Sequence, residues 1–221
     1  MLSSVEENYL KYIFQLSEYS VNGVVKTNDL AYKLEYSAAS VTDMLKKLAD
    51  KKLVSYKKYY GVSLTKSGQQ IAVHVLRKHR LWETFLVKKL KFTWDKIHDI
   101  AEQLEHIQSD ELIDKMDEYL GYPKFDPHGD PIPNKNGTIS VPNVICLADA
   151  KLKKTYLLAN VNDDSAAFLK YLNKIQLQLG DKLRILEKEE FDETIRISVN
   201  EKQQYVISRE AALNMFVKES K

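Results

Sequence analysis

Between Gly121 and Gly137 the chain reads GYPKFDPHGDPIPNKNG, which holds four of its five prolines and three of its seven glycines. Proline has no amide to give to a helix or a ladder, so no regular element runs through this stretch. It divides the chain into two parts that must fold by different rules. Upstream, apolar residues recur at helical spacing. From about Val144 they fall instead into short β-type runs: TYLLANV, KLRILEKE, TIRISVN and QQYVIS. A helical piece, Ser165 to Asn173, and an LGD turn separate the first two runs. The expected class is mainly α with a small β domain, the latter a barrel of roughly five strands.

The upstream part begins with a helix carrying Val5, Tyr9, Tyr12, Ile13, Leu16 and Tyr19, interrupted by Gly23. Thr27 reads as the N-cap of a short helix from Asn28 to Leu34, with Asp29 in its first turn. After a turn at Glu35–Tyr36, Ser37 caps a second helix whose stripe is Val41, Met44, Leu45, Leu48 and Leu53. VSYKKYYGVSLT then gives two β-rich runs around a turn near Tyr60–Gly61, a hairpin. This order is a winged helix-turn-helix. A helix that enters the major groove needs small hydrogen-bonding side chains at its start, and Ser37, Ser40 and Thr42 supply them. Its flanks need cations for phosphates, and Lys46, Lys47, Lys57 and Lys58 are placed for that. Thr27, Ala39, Tyr59 and Tyr60 complete the candidate DNA contacts. From Asp43 to Lys66 there are seven lysines against two acids, whereas from Asp95 to Asp130 eleven acids face three lysines. Two partners of opposite charge, a polyanion and a metal cation, fit that division.

Three further helices are expected, Ser67 to Lys91, Trp94 to Gln108 and Asp110 to Leu120. All five histidines (74, 79, 98, 106, 128) lie in this middle third. His79 and Glu83 are spaced i, i+4. His98, Glu102, Glu105 and His106 share a second helical face that carries no Lys or Arg. Like charges at i, i+4 repel, so such a face calls for a cation. Imidazole and carboxylate without thiolate suit Mn(II) or Fe(II), and less selectively Co(II) or Zn(II).

Several classes are disfavoured. No run approaches the ~20 apolar residues of a membrane helix. MLSSVEENYL lacks a basic flank before an apolar core, so no secretory signal is expected. Cys146 stands alone in 221 residues, which precludes an internal disulfide and fits a reducing cytoplasm. HExxH, a nucleophile elbow and a P-loop are all missing. The rival readings are a winged-helix regulator responding to an organic ligand or redox state, a metal-dependent hydrolase, and a structural dimer whose β module binds peptides.

RKHRLWE (77–83), IHDIAEQLEH (97–106), the following SDELIDKM and FDPHGDPIP (125–133) together resemble the diphtheria toxin repressor and manganese transport regulator family of metalloregulators. The resemblance runs along essentially the whole chain. It implies a winged helix-turn-helix at 1–73, a helical dimerisation and metal-binding domain at 74–140, and an SH3-like (FeoA-like) domain at 144–221. It implies a cytoplasmic homodimer that binds a near-palindromic double-stranded operator when loaded with Mn(II) or Fe(II), and that represses metal-uptake genes. One metal site would use His79, Glu83, Asp126 and His128, with His98 joining in some relatives and Asp163 or Asp164 reaching in from the C-terminal domain. The second would use Glu102, Glu105 and His106 with a first-helix ligand at Asn8. Asp126 and Glu102 stand where some relatives carry cysteine, which tilts the set toward Mn(II). Two positions depart from the pattern. Asn8 offers a neutral carbonyl in place of an acid or a methionine, and Lys11 replaces an acid of the short binuclear members, where it opposes a second cation.

Overall fold

The computed structural model describes residues 2–162 and 165–220. The chain divides into two compact units: Met1–Trp82 with Glu102–Met116 and Pro133–Ile139, and Glu83–Ala101 with Asp117–Ile132 and Ser140–Lys221.

In the first unit, α1 (Ser4–Ser17) starts at a capping box in which the Ser3 hydroxyl accepts from the Glu6 amide and the Glu6 carboxylate accepts from the Ser3 amide. Helix α2 (Thr27–Leu34) begins one residue earlier than expected. Lys26, in extended conformation, is the N-cap, and its carbonyl takes the Leu30 amide. Thr27 is therefore the first helical residue and not the cap. Glu35 turns the chain with a left-handed φ of 56°, and α3 (Ala38–Asp50) follows, the Ser37 hydroxyl accepting from the Ser40 amide. Strands β1 (Val54–Lys57) and β2 (Gly61–Leu64) pair antiparallel in register Val54↔Leu64 and form the wing. The apolar stripes of α1, α2 and α3 meet in one core around Leu10, Ile13, Leu30, Val41, Leu45 and Leu48, closed by Val62 and by Ala72 and Leu76 of α4 (Lys66–Lys88). Burying each such leucine contributes about 1.5–3 kcal/mol.

Helix α4 stops at Lys88 and not Lys91. The Leu90 amide reaches back to the Phe85 carbonyl, the Phe92 amide to that of Leu86, and Lys91 takes a left-handed φ of 62°, which closes the helix end. The helix expected over 94–108 is broken. Trp94–Lys96 is a 3-10 turn, and α5 covers only His98–Leu104. The Trp94 carbonyl, which a continuous helix would spend on the His98 amide, accepts from the His128 ring. Glu105 and His106 consequently lie past the helix end. Helix α6 spans Asp110–Tyr119.

The second unit holds an antiparallel sheet of six strands where about five were expected. They are β3 (Ile145–Cys146), β4 (Thr155–Val161), β5 (Lys182–Lys188), β6 (Ile195–Val199), β7 (Gln203–Ile207) and β8 (Met215–Glu219), in the order β3-β8-β4-β5-β6-β7. The extra strand is the two-residue β3, too short to show an alternation in sequence. Bulges at Leu158/Asn160 in β4 and Ile185/Glu187 in β5 bend the sheet around its core. Helices α7 (Ala166–Lys174, capped by Ser165) and α8 (Arg209–Leu213) help to close that core over Leu158, Leu183, Ile185, Ile197 and Met215. Trp94 packs against the same core, and its indole donates to Asn173 Oδ1 at 2.6 Å.

Candidate metal centres and DNA-facing surface

Within the second unit, Glu83, Asp126 and His128 bring one donor atom each to within 4.8 Å of one another, and all three side chains are buried. Glu83 leaves the last turns of α4 and is 0% exposed. Its Oε1 lies 3.9 Å from His98 Nδ1 and its Oε2 lies 3.7 Å from His128 Nδ1. These separations exceed a hydrogen bond, yet they aim two imidazoles at one carboxylate. His128 is held in one tautomer: its Nε2–H donates to the Trp94 carbonyl at 3.0 Å, so Nδ1 carries the lone pair toward Glu83. Trp94 also stacks on the His128 ring, centroids 6.0 Å apart.

The loop that carries Asp126 and His128 is tightly ordered. Asp126 Oδ1 accepts the amides of His128 at 2.8 Å and Asp130 at 3.0 Å. The His128 carbonyl takes the Val161 amide, and Asn160 Nδ2 donates to Asp130. Gly129 sits at φ +93°, and a β-carbon there would stand 2.2 Å from the Ala159 carbonyl oxygen. Gly129→Ala is therefore expected to cost at least about 1–3 kcal/mol in backbone strain and to push the loop off β4. Thermal melts and Mn(II) retention measured together would check this; a variant with wild-type values of both would refute it. Asp163 and Asp164, the expected C-terminal ligands, lie outside the described residues.

The donor set fits a divalent cation of borderline hardness. It offers carboxylates and imidazoles, buried and already turned toward a common point, and no thiolate. Cys146 is spent elsewhere, its Sγ 3.4 Å from the Ala212 carbonyl on the β3 side of the sheet.

A different cluster forms in the first unit, and His79, expected as a ligand beside Glu83, contributes to it. His79 Nδ1 lies 2.6 Å from Glu105 Oε2 and 3.8 Å from Glu102 Oε1. Into these carboxylates runs the Lys11 ammonium from α1, bonded to both oxygens of Glu105 at 2.7 and 2.9 Å and to Glu102 Oε1. Tyr12 adds its hydroxyl to Glu102 at 3.1 Å. His106, expected beside Glu102 and Glu105, turns its Nδ1 to Glu7 Oε2 at 2.6 Å, leaving Nε2 3.7 Å from Glu105. Gln108 holds the other Glu7 oxygen. Asn8 presents a buried Oδ1 with no hydrogen bond from any described group. Burial pushes the neighbouring Lys78 ammonium below its usual range, against the pull of Glu7, Glu105 and Asp110.

Sequence reasoning missed Glu7, Tyr12 and Trp94 as partners. Glu7 and Lys11 are themselves spaced i, i+4 on α1, which was the available signal. Trp94 acts on His128 through its ring and through its backbone carbonyl, and side-chain patterns cannot reveal the second.

The DNA candidates sort by exposure. Ser37, Ala39 and Ser40 open α3 at the surface, and Lys46 and Lys47 are exposed further along it. Thr42 is partly buried and bonds the Ala38 carbonyl, while Thr27 is partly buried at the start of α2. Lys57 and Lys58 stand over the rings of Tyr60 and Tyr59 at 4.3 and 4.9 Å. The Tyr59 side chain is 92% exposed at the tip of the wing.

Comparison with known proteins agrees with this organisation. Residues 1–62 match the family described as iron dependent repressor, N-terminal DNA binding domain. Residues 65–134 match iron dependent repressor, metal binding and dimerisation domain, and residues 145–219 match the FeoA domain. Over 132 residues the chain is 30% identical to the diphtheria toxin repressor of Corynebacterium jeikeium, an alignment covering 60% of this chain and 54% of that one. The chain thus spans about half the length of that curated relative. A solved manganese-dependent transcriptional repressor in complex with manganese superposes with TM-score 0.90 at 35% identity, covering 97% of this chain and 100% of that one. The manganese regulator SloR superposes at 0.80 with 36% identity, covering 97% and 98%.

Proposed function

Because this chain belongs to the iron-dependent repressor family, we propose that it is a metal-activated transcriptional repressor sensing Mn(II) or Fe(II), with Glu83, His98, Asp126 and His128 as its exchangeable metal site. The observation that carries this reading is the buried convergence of Glu83, Asp126 and His128 on one point. Asp163 and Asp164 remain proposed ligands from the C-terminal domain. In this assignment residues 1–73 read DNA, 74–140 sense metal and dimerise, and 144–221 form an SH3-like module.

The protein works as a cytoplasmic homodimer on a near-palindromic operator, with no catalytic role. Two winged helices would then face two half-sites. Exposed Leu90, Phe92, Tyr119, Tyr122 and Phe125 supply apolar surface for the dimer. Among the described residues no helix is long and apolar enough to cross a membrane.

A bound divalent ion supplies charge neutralisation and a crosslink among its donors. Glu83 fixes the end of α4, a helix whose first turns pack in the core of the DNA-reading unit. Asp126 and His128 fix the 126–130 loop against β4. Metal and DNA favour one conformation, so each tightens the other by the same factor, about 5–150-fold for a coupling of ~1–3 kcal/mol. The oxygen donor at position 126 favours Mn(II).

Fluorescence anisotropy on a labelled fragment of the protein's own upstream DNA tests this reading, in EDTA and then with Mn(II), anaerobic Fe(II) or Zn(II) at fixed salt. Binding that requires metal is expected. Equal binding in EDTA would favour the organic-ligand or redox regulator. Within the same assay Lys47→Ala should weaken binding to every sequence and lower the salt slope by about one. An unchanged slope would take Lys47 off the interface.

A further inference from the structure

The carboxylates of Glu102 and Glu105 already have a cation, and it is part of the chain. The Lys11 side chain is 1% exposed, and its ammonium meets three carboxylate oxygens with its three N–H donors. The Tyr12 ring closes over it, centroid 4.9 Å from Nζ, while the Tyr12 hydroxyl engages Glu102. His79 completes the cluster on Glu105. An ammonium so enclosed and a divalent ion compete for the same oxygens and repel each other at this range. The pattern of donors that suits a metal therefore does not fit one here.

We propose that Lys11 is a built-in cation for the His79–Glu102–Glu105 cluster. It fastens α1, and with it the DNA-reading helices, onto this cluster at every metal concentration, and it keeps a divalent ion out. The Glu83 site is then the one exchangeable site among the described residues, a consequence that rests on the metal-sensing reading above.

The test counts bound Mn(II) per chain, by the loss of the free-ion EPR signal on titrating MnCl2 into the full-length protein. The native chain is expected to hold one ion, lost in Glu83→Gln. Lys11→Met is expected to gain one further ion, retained when combined with Glu83→Gln and lost when combined with Glu105→Gln. Lys11→Arg should gain none. The proposal is overturned if Lys11→Met gains no ion, or if the native chain holds a second ion that Glu105→Gln or Asn8→Ala removes. Should Lys11→Met fail to fold by circular dichroism, Glu83→Gln decides alone. With Lys11 intact it must hold no ion, and a Glu105-dependent ion in it refutes the idea. A native chain without Mn(II) beside a Lys11→Met variant with one would sink the Glu83 reading and leave the Lys11 proposal standing.

Discussion

Glu83→Gln is expected to abolish metal-stimulated DNA binding while leaving the metal-free protein folded. Glutamine keeps the shape of a side chain that is fully buried, so packing changes little. What it removes is the charge that His98 and His128 face at 3.9 and 3.7 Å. Disturbing even the outer partners of a metal ligand costs about 10–100-fold in affinity, and loss of a charged ligand should reach at least the upper end. Anisotropy titrations should give the same weak DNA affinity with Mn(II) as with EDTA, and the melting curve in EDTA should match the native one. Stimulation that survives in Glu83→Gln would place the switch elsewhere, with the Glu102 cluster the next candidate.

The second large effect concerns stability. In EDTA, Lys11→Met should leave Glu105, itself fully buried, without its ammonium partner. Breaking a buried ion pair from one side costs about 3–5 kcal/mol because the remaining charge stays desolvated. At ~2–4 °C per kcal/mol for a chain of this size, the melting midpoint should fall by roughly 6–20 °C. Mn(II) should restore much of the loss in the variant, since an ion bound only by the folded form stabilises it by mass action. Native protein treated identically should gain only what its Glu83 site contributes. A Lys11→Met midpoint within a degree or two of native in EDTA would mean that the pair is not a net stabiliser.

Much of this architecture was readable in the sequence because local chemistry and global fold agree. Ser37 caps α3, and Val41, Leu45 and Leu48 supply a stripe with a single core to enter. The Pro/Gly-dense stretch from Gly121 fixed where helices end, and the PHG turn within it pointed to Asp126 and His128. What the sequence hid depends on long-range geometry. Lys11 meets Glu102 across 91 positions, and spacing on α1 cannot say which distant acid a lysine will reach. The break of the expected 94–108 helix is legible only once His128 is seen to take the Trp94 carbonyl. His106 turns its Nδ1 to Glu7 while its Nε2 stays 3.7 Å from Glu105, because α5 ends at Leu104, after which helical spacing no longer decides direction.

The lysine in the Glu102–Glu105 cluster also bears on how sharply the regulator can answer its signal. A covalently attached cation neither leaves when the metal supply falls nor is removed by a chelator. If each chain exchanges a single ion, a homodimer carries two, and occupancy cannot rise more steeply than the square of the free metal concentration. A relative that fills two exchangeable sites per chain has a ceiling twice as high. On that proposal the repressor would give a graded dose–response set by one affinity, with its off-threshold where the Glu83 donors alone let go.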